Sequence, residues 1–321
     1  MDLIYTNTNF EDVGVLKDYV FDLAFGADEN DFEITISSEA HCCEPNCLLY
    51  IEGTEYGGII DGMRIVTKDK ELVYFGRTWH GILESKILQP DSNSDYLIVS
   101  GEANEVIGSL LERIGLSEKF TASEENSGLV IKDYKFDRYI DAYSGIIKML
   151  ESVSGKLKFT FRDGKVLVAA FPVIDYSQDE QFDNDLVEMD IEKKVNSINH
   201  LICLGKGELA ERQVIHLFAD EKGNISENQT FFGFDERVAT YDYSNVESLE
   251  ELKKGGTEKL IEYITEGKVE MNFASEETIY DIGDIVGAKE IITDTFVKEK
   301  ITKKIVTIKK GQTNIEYKVG E

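Results

Sequence analysis

The C-terminal stretch Tyr280–Glu321 constrains the fold most. Three β-rich runs, Glu290–Val297, Ile301–Lys309 and Thr313–Val319, follow one another with short connections, and Gly311-Gln312 supplies a tight turn between the last two. Ile305, Thr307 and Lys309 fall on one face of a strand and Val306 and Ile308 on the other, the period-2 alternation of a half-buried sheet. Just upstream, Ile282-Gly283-Asp284-Ile285-Val286 reads as a short apolar strand opened by a Gly-Asp turn. A β-meander that runs to the end of the chain, with no catalytic module after it, predicts a structural part.

At 321 residues, 42% hydrophobic and 30% charged, the chain is long enough for two or three domains with cores of their own. It has no run of 18 apolar residues. Its N-terminus, Met1 to Gly14, lacks the basic segment, apolar stretch and small-residue cleavage site of a signal peptide. Synthesis in a cytoplasm without export by that route is expected. Four cysteines, with Cys42, Cys43 and Cys47 crowded together and Cys203 alone, make a poor disulfide framework and agree with a reducing compartment.

The charge balance is unusual: 62 acidic against 34 basic residues, a net of −28. Such a field repels nucleic acid and disfavours anionic membranes. Solubility is the ordinary explanation. The sharper one is a surface past which DNA slides without sticking, because Lys and Arg contacts to phosphate dominate non-specific DNA affinity.

Segment 1–92 reads as a first β-barrel domain, with strands at Leu3–Thr6, Val20–Phe25, Phe32–Ser37, Leu48–Ile51, Gly58–Lys68, Glu71–His80 and Gly81–Gln89. Pro90 and the polar run Asp91–Asp95 mark a boundary. Segment 96–174 reads as an α+β module. Its amphipathic helices are Ala103–Ile114, with Val106, Ile107, Leu110, Leu111 and Ile114 on one face, and Tyr139–Val153, with Ala142, Ile146, Ile147 and Leu150 on one side. Phe120–Glu125 reads as a loop and Gly128–Lys132 as a strand; Lys156–Arg162 and Lys165–Phe171 form a hairpin closed by Asp163-Gly164. After an acidic linker, Asp175–Asp185, segment 186–321 reads as a second β-barrel domain. Its strands are Leu186–Ile191, Ser197–Leu204 and Gln213–Ala219, and its helical insertion is Val246–Glu266, which Gly255-Gly256 interrupts. The fold class is therefore β-rich α+β.

No constellation of catalytic residues emerges. His41-Cys42-Cys43-Glu44-Pro45-Asn46-Cys47 has soft-ligand character, but no second ligand pair follows at zinc-site spacing, so incidental thiols or an oxidation-prone loop are the readings preferred to a metal site. His41, His80, His200 and His216 lie in no HExxH or nucleophile-elbow pattern; His80, after Trp79, reads as a strand residue in a wall or interface. Gly205-Lys206-Gly207 is no phosphate loop, and the Gly53–Gly58 stretch lacks the helix that a nucleotide-binding turn requires. Asp281 and Asp284 read as turn-forming residues, and Asp220, Glu221 and Asn224 lack calcium-loop spacing. No catalytic residue, cofactor site or metal site is assigned.

The stretch Leu49–Ile60, running into Asp61-Gly62-Met63-Arg64 and Glu71–Trp79, resembles a known family when taken together with Ile282–Val286, Ile301–Val306 and Ile315–Val319. That family is the tail-hub proteins of long-tailed phages and prophages of Gram-positive bacteria, including baseplate hubs and the N-terminal hub part of tail-associated lysins. The resemblance spans nearly the whole chain and rests on strand-and-turn wording. It implies two tail-tube-like β-barrel domains per protomer with the α+β module between them, and a homotrimeric ring. The ring would join tail-tube or distal-tail proteins above to tip or fibre proteins below, with DNA only in transit through the lumen and no membrane. It implies a virion tail-tip location after assembly in the bacterial host cytoplasm, and a non-enzymatic role. Two other classes compete. A cell-wall hydrolase needs a pocket with a perturbed carboxylate or a metal; a carbohydrate- or cell-surface-binding β-protein needs clustered aromatics, which the single Trp79 and the scattered tyrosines do not supply.

Overall fold

A computed structural model describes residues 2–177, 181–183, 188–191, 198–221, 223–246, 248–264, 269–274, 279–290 and 295–320. The chain divides into two compact units, residues 1–189 with 271–320, and residues 190–270. The fold is β-rich α+β, as the alternation of apolar positions predicts.

In the first unit one large sheet carries strands from both ends of the chain. Its order runs Gln312–Val319, Thr295–Lys309, Val20–Gly26, Asp31–Ser37, Glu71–Thr78, Gly57–Val66, Leu48–Tyr50, Leu3–Thr6, Asp12–Leu16. Beyond Gln312–Val319 it continues through Met271–Ala274, and Ile285–Glu290 pairs with the first part of Thr295–Lys309. The long strand Thr295–Lys309 is the joint: past a register shift between Ile301 and Lys303, it pairs with Gln312–Val319 on one side and with Val20–Gly26 on the other. Among the described residues no pairing closes this sheet on itself, so the barrels expected from strand count are not seen closed there. Phe21, Leu23, Phe25, Phe32, Ile34, Ile36 and Tyr74 are buried, the inward set that the alternation around Phe32–Ser37 marks out. At the far end Val306 and Ile308 are buried while Thr307 and Lys309 are not.

Several elements depart from the sequence reading. Gly81–Gln89 is not a strand: Trp79–Glu84 is a short helix, followed by a two-residue strand, Ile87–Leu88. Thr78 caps it, its hydroxyl accepting from Gly81 N at 3.4 Å, and Trp79 and Leu83, an i, i+4 pair, are buried. Strand Asp12–Leu16 went unread because its outward residues Val13 and Val15 are exposed and give no core signal. Phe120–Ala122 is a strand, parallel to Lys165–Pro172. The final hairpin turns at Lys310-Gly311, both with positive φ, one residue earlier than the sequence suggests. In the linker, residues 178–180, 184 and 185 lie outside the described residues, as do 291–294 of the expected strand Glu290–Val297; Gln181–Asp183 is a strand. The starts of the expected strands at 186 and 197 and the end of the expected helix at 266 also lie outside them.

Both helices expected within 96–174 are present. Helices Ala103–Arg113 and Ala142–Glu151 cover the sheet of Phe120–Ala122, Lys165–Pro172 and Gly155–Arg162. Glu102 and Asp141 cap them, accepting from Asn104 N at 2.8 Å and Ser144 N at 2.8 Å. On the second helix Met149 is buried where Ile147 was expected; Ile147 is only partly covered. One apolar core includes Trp79 and Tyr50 on one side of the Asp91–Asp95 run and Leu110, Ile146, Phe159 and Phe161 on the other. Trp79 stacks on Phe161 at 5.3 Å, and Tyr50 on Phe161 at 3.9 Å.

The second unit orders its sheet Ile225–Ser226, Val214–Ala219, His200–Leu204, Val238–Asp242, the last two parallel. Helix Leu249–Ile264 lies on Leu201, Cys203 and Leu217. Gly255-Gly256 does not interrupt it. A Cβ on Gly256 would sit 2.4 Å from Cys203 Sγ, so the glycine lets helix and sheet approach.

Candidate functional site

The most ordered polar arrangement is a buried charge cluster in the first unit. Strand Gly155–Arg162 carries Lys156, whose ammonium donates to Asp281 Oδ2 at 2.9 Å and to both Asp284 oxygens at 2.8 and 2.7 Å. Lys158 reaches Asp281 at 3.3 Å. Asp284 also accepts from Ile174 N at 2.9 Å and Asp281 N at 3.0 Å, which satisfies a carboxylate only 1% exposed. Burial pushes the Asp281 carboxyl up, but Lys156, Lys158 and Lys304 outweigh it and hold it below the ordinary carboxylate range. The two aspartates expected to be turn formers thus also bind the module to the final strands.

Beside them Lys304, on Thr295–Lys309, donates to Glu55 Oε1 at 2.5 Å with its ammonium over the rings of Phe25 and Tyr317. Burial opposes that charge, and Glu55 more than offsets it. The Gly53–Gly58 stretch therefore delivers a partner for a buried lysine instead of cradling a phosphate. His80 is buried against Phe25, Tyr143 and Phe159; its Nδ1 has no partner, and burial, with Lys304 nearby, lowers its pKa to about 3. It is a core residue and not a general base at neutral pH.

The remaining candidates are dispersed. In the second unit Glu236, His200 and His216 form a chain, with His200 Nδ1 at 2.6 Å from Glu236 Oε1 and Nε2 at 2.8 Å from His216 Nδ1. Among the described residues no hydroxyl or thiol hydrogen bond to this chain is seen, as a nucleophile would make. His41 Nε2 lies 3.7 Å from Glu44 on the loop that holds Cys42, Cys43 and Cys47. Asp220 closes a turn by accepting from Asn224 N at 2.8 Å. A depression of about 420 Å³ is walled by Glu11, Asp12, Glu52, Asp163, Tyr50 and Phe161, but Tyr50 Oη binds Asp12 at 2.6 Å and Asp163 N binds Glu52 at 3.0 Å, which ties up two of its carboxylates. Among the described residues no group of three or more His, Cys, Asp or Glu side chains is placed to hold a metal ion. No described helix is long and apolar enough to cross a membrane.

Two outward features carry exposed apolar side chains. Among the described residues strand Asp12–Leu16 ends the large sheet and pairs on one side only, with Val13 and Val15 exposed. In the second unit Phe232 is exposed and Phe234 fully so, on a loop fixed by its own bonds. Gln229 Nε2 donates to Phe231 O and to Glu236 Oε1, each at 3.0 Å, and Asn199 Nδ2 to Asp235 O at 2.7 Å. The sequence carried a signal for this loop, the run Phe231-Phe232-Gly233-Phe234 in a polar setting, but no periodicity to say that it faces outward.

Neither a protein-family model nor a curated protein matches this sequence. Solved structures do. A tail protein from Neisseria meningitidis MC58 aligns over 100% of this chain and 96% of its own at 15% identity, with a TM-score of 0.53. The 43 kDa tail protein of prophage MuSo2 from Shewanella oneidensis aligns over 99% and 98% at 10% identity, TM-score 0.57. A prophage tail protein from Listeria monocytogenes aligns over 100% and 94% at 10% identity, TM-score 0.55. From end to end, this chain has the fold of phage and prophage tail proteins.

Proposed function

We propose that the chain is a structural subunit of a phage or prophage tail, specifically the hub at the tail tip or baseplate. The observation that carries this reading is the end-to-end match in fold to three tail proteins, each aligned over 94% or more of its own chain. Three copies would form a head-to-tail ring, each contributing the β-rich parts of 1–92 and 186–321, with the module 96–174 between them. The large sheet that joins both ends of the chain supports a rigid ring segment, and the one-sided strand Asp12–Leu16 supports closure between copies. Tail-tube or distal-tail proteins would lie above the ring and tip or fibre proteins below. The net charge of −28 supports a passage that does not hold DNA. The subunit would be made in the bacterial host cytoplasm, end in the virion tail tip, touch no membrane and catalyse nothing.

The test is light scattering of the purified chain, alone and mixed with its tube-side neighbour, with zymography on peptidoglycan in parallel. A trimer in either sample and no clearing of the substrate are expected. A monomer in both samples, or a cleared zymogram, contradicts the proposal.

A further inference from the structure

We propose that Cys42 and Cys43 are a redox modification site, a vicinal dithiol that a peroxide closes to a reversible disulfide. The two sulfurs lie 3.6 Å apart, although adjacent residues commonly point their side chains to opposite sides. Tyr74 holds them so: its buried hydroxyl accepts from both Cys42 N and Cys43 N at 3.1 Å. Cys42 is partly exposed and Cys43 buried, which separates their roles. Cys47 lies past the turn at Glu44, where its own N–H donates to Glu44 O at 3.2 Å.

The reaction balances in two steps. Peroxide oxygen transfers to the Cys42 sulfur, the O–O bond breaks, and water and Cys42 sulfenic acid result. Cys43 sulfur then attacks the Cys42 sulfur, the S–O bond breaks, and a second water leaves with the thiol proton. Two thiols lose two electrons in all, and the peroxide gains them. Burial raises both thiols, that of Cys43 strongly, which slows both steps.

Consecutive Cα atoms are about 3.8 Å apart, below the roughly 4.4–6.8 Å of ordinary disulfides, so the ring is strained and easily reduced. Closing it twists the peptide between the two residues, and both N–H groups cannot then stay on Tyr74. Because Tyr74 lies on a central strand, between Asp31–Ser37 and Gly57–Val66, oxidation loosens this end of the sheet.

The experiment treats the full chain with hydrogen peroxide, then counts alkylatable thiols in denaturant and weighs the protein. The wild type is expected to fall from four free thiols to two, lose about 2 Da, and recover both with dithiothreitol. Cys47→Ser should still lose two thiols. Cys43→Ser should instead give a Cys42 sulfenic acid captured by dimedone. Four alkylatable thiols at a peroxide dose that oxidises free dithiothreitol would overturn the proposal, as would a bond to Cys47 or Cys203, or a sulfinic acid at Cys42 beside a free Cys43.

Discussion

Lys156→Met tests whether the buried charge cluster holds the first unit together. The substitution removes the cation facing Asp281 and Asp284, and the three side chains are only 4%, 16% and 1% exposed, so water does not replace it. An exposed ion pair is worth about 0–1 kcal/mol, whereas removing one partner of a buried pair costs about 3–5 kcal/mol. Asp284 keeps two backbone donors and Asp281 keeps Lys158, which places the expected loss at the lower end, about 3 kcal/mol. For a unit of this size that is a fall in Tm of about 6–12 °C. Trp79, the only tryptophan, lies in the core of this unit, so its fluorescence reports the right transition.

The pH dependence separates this cause from lost packing. In the wild type the Asp281 carboxyl lies below its ordinary value, so its contribution is present above the ordinary carboxylate range and is lost as pH falls through the lower folded value. Without Lys156 burial gains the upper hand, protonation favours the folded state, and the deficit narrows between pH 7 and pH 5. Adding Asp281→Asn and Asp284→Asn to the variant should restore most of the stability, since no buried charge then lacks a partner. A loss below about 1 kcal/mol at pH 7, or an equal deficit at both pH values, refutes the reasoning.

Three further outcomes are expected. His80→Phe should remove acid sensitivity. With a folded pKa of about 3, His80 takes up its proton mainly in the unfolded state, so the wild type loses up to about 1.4 kcal/mol per pH unit below pH 6.5, or about 2 kcal/mol by pH 5. Urea unfolding at pH 7 and pH 5 checks this, and an unchanged slope contradicts it. Gly256→Ala should destabilise the second unit by about 1–3 kcal/mol, seen as earlier loss of helical circular dichroism while Trp79 fluorescence is unaffected. Phe232→Ser with Phe234→Ser should leave stability within about 0.5 kcal/mol yet lower incorporation into tails; unchanged incorporation removes that loop from the assembly surface.

What the sequence made legible was local. Alternation at Phe32, Ile34 and Ile36 marked a strand and its inward face, and Asp163-Gly164, both with positive φ, marked the hairpin between Gly155–Arg162 and Lys165–Pro172. Helices Ala103–Arg113 and Ala142–Glu151 followed from apolar stripes. The helix Trp79–Glu84 was hidden because six residues are too few for a stripe to stand out from a strand. Long-range pairings carry no local signal: Thr295–Lys309 joins Val20–Gly26 across most of the chain, and Lys156 meets aspartates more than a hundred residues away. A buried lysine looks like any other lysine until the fold supplies its carboxylates. The redox-active character of the cysteine loop was legible only as an oxidation-prone cluster, because the role of Tyr74 depends on a neighbouring strand.

The most direct measurement is cryo-electron microscopy of intact tails carrying this subunit, with the density at the tip resolved without imposed symmetry. Three copies in a closed ring around an open channel, seated below the tube, are expected. Copies repeated along the tube, or a single copy beside the axis, would contradict the account.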